Sequence, residues 1–156
     1  RSSDLAGPLS SIDAAETEDL IWGLWHSHKS TEAEDALDEA SRLLASRDYA
    51  QAETRLSMLV NTWPGFAEGW NKRATLYYTL GEYKKSLADC DEVIKRNPLH
   101  FGALSGYGLI YVQLNQPARA IEYFKRALKI NPNLRGVEES INVLEQQGKR
   151  GRGSYI

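Results

Sequence analysis

The sequence predicts an all-α protein in which antiparallel helix hairpins stack into a single array. Two observations carry this. Pro64, Pro98 and Pro132 recur 34 residues apart, and Tyr49, Tyr83 and Pro117 keep the same interval, as do Val60, Ile94 and Leu128. Set in register as 33–66, 67–100 and 101–134, the three segments also share a pattern of side-chain size. The eighth position is small (Ala40, Ala74, Gly108) and so is the twentieth (Ala52, Ser86, Ala120), while the eleventh reads Leu43, Tyr77, Tyr111 and the twenty-fourth Leu56, Cys90, Phe124. A fixed period in this range is the signature of a stacked repeat architecture.

Helix geometry explains the columns. Positions four, seven or eight, and eleven share one stripe of a first helix, and positions 20, 24, 27 and 28 share one stripe of a second. Small residues let the two backbones approach, and the large ones fill what remains. The proline near each segment's end stops the second helix and turns the chain toward the next hairpin. Neither helix buries its stripe alone, so each hairpin must rest on a neighbour.

The flanks follow the same logic. Residues 12–28 read as an amphipathic capping helix with Leu20, Ile21, Trp22, Leu24 and Trp25 on it, preceded by an unstructured 1–11. Thr31 and Glu34 have capping-box spacing and mark the next helix start. Residues 135–147 form a last helix, polar over much of its surface as a terminal cap requires. The aperiodic stretch 148–156 is expected to be an unstructured tail.

Composition narrows the function classes. No apolar run approaches the length of a membrane span. The lone Cys90 cannot form an internal disulfide and fits a reducing compartment, whether cytosol, matrix or stroma. Arg1 in place of an initiator Met suggests that the chain starts inside a longer one. The net charge of −2 conceals a split: residues 1–62 carry 12 Asp+Glu against 5 Lys+Arg, and residues 63–156 carry 9 against 14. Such a field orients charged partners, yet it is milder than the basic stripe that nucleic acid requires.

The columns resemble the tetratricopeptide repeat. Its pattern of Trp, Leu, Gly/Ala, Tyr, Ala, Phe, Ala and Pro is met at Trp70, Ala74, Tyr77, Val93 and Pro98, and again at Leu104, Gly108, Tyr111, Ala120, Phe124, Ala127 and Pro132. The first repeat departs from it, with Ala36 where Trp70 stands, Glu39 at the seventh position, and Ser46 where Leu80 and Leu114 stand. The stretch from Glu68 to Ile110 also resembles tetratricopeptide proteins of the alphaproteobacterial type and their organellar relatives, which implies a mitochondrial or plastid location.

The resemblance implies a right-handed superhelix whose concave wall is made by the first helices. It further implies a non-catalytic adaptor or assembly factor that binds a peptide or helix of another protein there. The family's ligand positions fall on Glu34, Leu37, Ser41 and Leu44, then Glu68, Asn71, Thr75 and Tyr78, then Gly102, Ser105, Leu109 and Val112, with Lys72 beside the row and Gln113 closing it. Glu68, Asn71, Lys72, Thr75, Tyr78, Gly102, Ser105 and Leu109 are the expected contact set, and Gly102 with Gly106 leaves a bare strip for a partner backbone. The chaperone-binding subclass grips a C-terminal carboxylate through Lys, Asn and Arg at positions matched here by Leu37, Ser41, Lys72, Gly102 and Gly106. A carboxylate needs several convergent donors to offset its desolvation, so an Hsp70- or Hsp90-type tail is not expected.

Other features carry less. His26 and His28 lie on different sides of a helix end without further ligands, so no metal site is expected, and no cofactor motif or catalytic arrangement is present. Trp22, Trp25 and Trp63 are a possible second contact; capping the first hairpin is the preferred reading, and self-association through them is the main alternative function. A lesser alternative is RNA binding through Lys84, Lys85, Lys95, Arg96 and the tail residues Lys149, Arg150 and Arg152.

Overall fold

Every 34 residues the chain meets a point where a helix must stop and reverse. Arg47 (φ 61°), Gly81 (φ 74°) and Asn115 (φ 57°) occupy equivalent places and all adopt the left-handed conformation that ends a helix. At each, the amide three places beyond the helix end reaches back five residues: Asp48 N to Leu43 O, Glu82 N to Tyr77 O and Gln116 N to Tyr111 O, at 2.9, 2.8 and 2.8 Å. Arg47 takes this conformation against the preference of a side chain bearing Cβ.

The computed structural model describes residues 31–153. The expected helix over 12–28, with Trp22 and Trp25, lies outside the described residues, as do segment 1–11 and residues 154–156. Within the described residues are α1 (31–45), α2 (Tyr49–Thr62), α3 (Ala67–Thr79), α4 (Tyr83–Arg96), α5 (Phe101–Gln113), α6 (Pro117–Ile130) and α7 (Arg135–Gly153), with no strand. Neighbours pack in sequence, α2 on α3, α3 on α4, α4 on α5, α5 on α6 and α6 on α7, and α3 also touches α5.

Local chemistry sets the helix starts. Asp48 caps α2 through a side-chain oxygen that accepts from Gln51 N, His100 caps α5 by accepting from Ala103 N at 3.0 Å, and Pro117 opens α6 where no amide donor is needed. Asn97 and Asn131 each end a second helix and accept from the amide two residues on. Trp63 holds the equivalent place and has no such acceptor; there the carbonyl of Pro64 accepts from the Trp70 indole at 2.9 Å and also from Arg96.

The size columns form the core. Ala40, Ala52, Leu56, Ala74, Ser86, Cys90, Ala120 and Phe124 are all buried. Tyr77 is 7% exposed, and Tyr111, half-buried, stacks on Tyr123 with ring centroids 5.6 Å apart. Contact is close at Gly108, where an added Cβ would fall 2.3 Å from the Phe124 ring. One polar pair sits inside this frame. Arg73 donates twice to the buried Asp89, at 2.8 Å each, while its guanidinium lies 5.2 Å from the Trp70 ring and 5.6 Å from that of Tyr77. The fork geometry satisfies both carboxylate oxygens, which a buried ion pair requires.

One element differs from the sequence reading. The last helix was expected to end at 147 and the tail 148–156 to be unstructured, yet α7 continues to Gly153. Lys149 and Arg150 are good helix formers, and Arg150 and Arg152 place positive charge at the negative end of the helix dipole, offsetting the low propensity of Gly148, Gly151 and Gly153.

The contact at Gly108 gives a direct test. Gly108→Ala is expected to lower unfolding stability by roughly 1–3 kcal/mol, the usual range for overpacking a core, despite alanine's better helix propensity. Urea denaturation followed by circular dichroism measures it.

Candidate functional site

The second helices spend two faces on the stack: α4 lies against both α3 and α5, and α6 against both α5 and α7. Among the described residues, the first helices keep one face free. Between α3 and α5 that face opens into a cavity of about 170 Å³, lined by Asn71, Ala74, Thr75, Tyr78, Ser86, Cys90, Gly102, Ser105, Gly106, Leu109 and Ile110. Six residues of the expected contact set therefore stand around one cavity: Asn71, Thr75, Tyr78, Gly102, Ser105 and Leu109.

Two of the set do not line it. The Glu68 carboxylate is bonded to His100 Nε2, whose Nδ1 accepts from the Ala103 amide, so this contact ties the start of α3 to the cap of α5. Lys72 is half-buried and stands away from the lining. Trp63, at the C-terminal cap of α2, is half-buried and does not line the cavity, while Trp22 and Trp25 lie outside the described residues.

The floor comes from residues that the contact set left out. Ala74, Ser86 and Cys90 are buried core side chains that line the groove side, and at Gly106 no side chain covers Cys90. An added Cβ at Gly106 would lie 3.5 Å from Cys90 Sγ. The Ser86 hydroxyl donates to Ala74 O at 2.7 Å and is thus occupied. Burial, reinforced by Asp89 and Asp91, pushes the Cys90 thiol up to about 12, so it is neutral and unreactive. The rim is more polar. Thr75 donates to Asn71 O, and Tyr78 packs on Tyr83 and accepts a long bond from Gln113. Gly106 is visible in the sequence; that it sits over Cys90 is not.

The cations named for RNA binding are mostly engaged. Lys85 pairs with Glu82 and lies 5.3 Å from the Tyr77 ring, and Lys95 and Arg96 both pair with Glu92. Arg96 also lies 4.8 Å from the Trp70 ring.

A model of the tetratricopeptide repeat family matches residues 37–94 and 71–134. The chain belongs to the tetratricopeptide repeat family. A TPR repeat-containing protein of Rhizobium etli is 38% identical over 84 residues, which is 54% of this chain and 41% of that protein, in keeping with the alphaproteobacterial resemblance. Hsp70-Hsp90 organizing protein 1 of Glycine max is 23% identical over 124 residues, 79% of this chain and 22% of that protein. This TPR chain thus spans less than half the length of either relative. Among solved structures, the first TPR of Spaghetti (RPAP3) bound to an HSP90 peptide superposes with a TM-score of 0.71 at 19% identity, covering 76% of this chain and 94% of that one. The TPR2B domain of yeast Sti1 in its pHsp70 complex gives 0.69 at 20%, covering 75% and 98%. At these identities the likeness is one of fold, the superhelical TPR array. The family is a protein-interaction scaffold, and no described helix is long and apolar enough to cross a membrane.

Gly106 separates packing from ligand geometry. Its added Cβ meets Cys90 Sγ at ordinary contact distance, so Gly106→Ala in this TPR domain is expected to raise unfolding stability by about 0.5–1 kcal/mol through helix propensity alone. Thermal and urea denaturation read it.

Proposed function

We propose that this chain is a non-catalytic adaptor or assembly factor that holds a peptide or a helix of another protein in the concave groove. The observation that carries the reading is the cavity between α3 and α5, where Asn71, Thr75, Tyr78, Gly102, Ser105 and Leu109 converge on the face left free by stacking. Pockets that anchor a partner are concave and largely apolar, with a few polar groups to fix orientation. Tyr78 offers a large amphipathic ring, and Asn71 offers an amide that bonds nothing else in the described chain. A free, buried Cys90 suits the reducing compartment expected for such a protein.

One of these relatives is named for Hsp70 and Hsp90, and the two structural neighbours are complexes with an HSP90 peptide and with pHsp70. In this groove, Leu37, Ser41, Gly102 and Gly106 stand where a terminal carboxylate would need donors, and Lys72 alone is cationic. The ligand is therefore an internal segment or a helix and not an acidic tail.

Affinity capture with the domain and with an Asn71→Ala, Tyr78→Ala variant of unchanged helicity tests both statements. The protein captured by the native domain is expected to be lost from the variant, because truncating an anchor of this kind costs about 2 kcal/mol or more. In the same series the HSP90 peptide SRMEEVD is expected to show no saturable binding tighter than about 1 mM. Equal capture by the variant would remove the groove from the account.

A further inference from the structure

We infer that the segment held in this groove is cationic and carries one apolar anchor. The anchor side chain fills the cavity between α3 and α5, and Lys or Arg residues about four positions away face the carboxylates of α1. This inference rests on the groove reading above and gives its ligand a chemistry.

The cavity selects the anchor. A dry apolar cavity of roughly 150 Å³ accommodates benzene, and this one measures about 170 Å³. Its floor has no charge to offer: the Cys90 thiol stays protonated and the Ser86 hydroxyl is spent on Ala74 O. No charged residue occurs anywhere in α5, from Phe101 to Gln113. A phenyl or branched aliphatic side chain is what such a space stabilises, and a charged one would lose its hydration without compensation.

The charge along the wall selects what flanks it. Glu34 and Asp38 on α1 hold the places that Glu68 and Lys72 hold on α3 and that Gly102 and Gly106 hold on α5. Both are exposed, and neither takes part in an ion pair among the described residues. With Glu68 bonded to His100, Lys72 is the lone cation in the row. The wall therefore runs from acidic at α1 to neutral at α5, the opposite of what an acidic tail would need. Complementary charge on the ligand speeds encounter and fixes its direction.

Helix spacing sets the register. α1 and α3 share one core cluster through Ala40 and Leu76, and α3 touches α5. Packed helices lie about 8–10 Å apart, and an extended chain advances roughly 3.3–3.6 Å per residue. From the cavity to the α1 carboxylates is thus about one and a half helix steps, or roughly four extended residues. Asn71 lies along that path, with its amide free to bond the passing backbone.

Fluorescence anisotropy with short labelled peptides decides the matter. Each peptide carries one phenylalanine in a glycine–serine background, with an arginine pair or a glutamate pair four residues away, in both sequence orders. The arginine peptide is expected to bind at least about tenfold tighter than the glutamate peptide in one order, and to weaken as salt is added. Glu34→Lys with Asp38→Lys should abolish that preference. Replacing the phenylalanine by alanine, or Gly106→Leu in the protein, should weaken binding at least about tenfold; Gly106→Ala serves where the larger side chain perturbs folding. Equal or tighter binding of the glutamate peptide, no loss without the phenylalanine, or no binding of the arginine peptide each overturns the inference. Any of these results, found while the captured protein still depends on Asn71 and Tyr78, leaves the groove standing. Arginine-peptide binding that is indifferent to Asn71→Ala, Tyr78→Ala overturns the groove itself.

Discussion

The close approach of two helices at paired small residues is the constraint from which the rest follows. Ala40 with Ala52, Ala74 with Ser86, and Gly108 with Ala120 remove side-chain volume where backbones meet, and Leu56, Cys90 and Phe124 fill the space beside them. A hairpin this tight buries little apolar surface of its own, since each helix still shows a stripe to the outside. The next hairpin covers that stripe, and α4 and α6 become middle layers with neighbours on both sides. Among the described residues, what is left uncovered is one face of α1, α3 and α5. The groove is therefore a residue of the stacking geometry rather than a separately built pocket.

Polar groups reinforce the stack where apolar columns alone leave it loosely specified. The Arg73–Asp89 pair joins α3 to α4, Tyr77 donates to Glu53 on α2 at 3.2 Å, and Tyr107 donates to Asp91 on α4. Burial and the bond to Asp91 raise the Tyr107 phenol above its ordinary pKa, so it remains a donor. The Glu68–His100 contact adds a bond between first helices at the groove's edge. These links cross from one helix to the next and fix their relative rotation, which is what keeps Asn71, Tyr78, Ser105 and Leu109 around one cavity.

Most of the fold was legible because the repeat places the same size of side chain at the same helical angle three times over. The register of Ala40, Ala74 and Gly108 predicted both the pairing and its tightness. Three kinds of feature were not legible. Arg73 and Asp89 are 16 residues apart and belong to no apolar column, so nothing in a size pattern links them. Cys90 reads as core by position, and the absence of a side chain at Gly106 on a neighbouring helix turns it into a cavity floor. The run of α7 on to Gly153 was not legible because residues 148–156 carry no apolar period to mark a helix. At the site, family positions brought out six lining residues. Glu68 also held such a position, but its capture by His100, 32 residues away, depends on how α3 and α5 lie side by side.

The claim that stacking leaves the concave wall as the binding face is tested most directly by site-specific photocrosslinking. A photoreactive residue at Thr75, exposed on the rim of the cavity, is compared with one at Glu122, exposed on α6. The account predicts a covalent adduct with the captured protein from Thr75 and none from Glu122. An adduct from Glu122 alone, or equal yields from both, would contradict it.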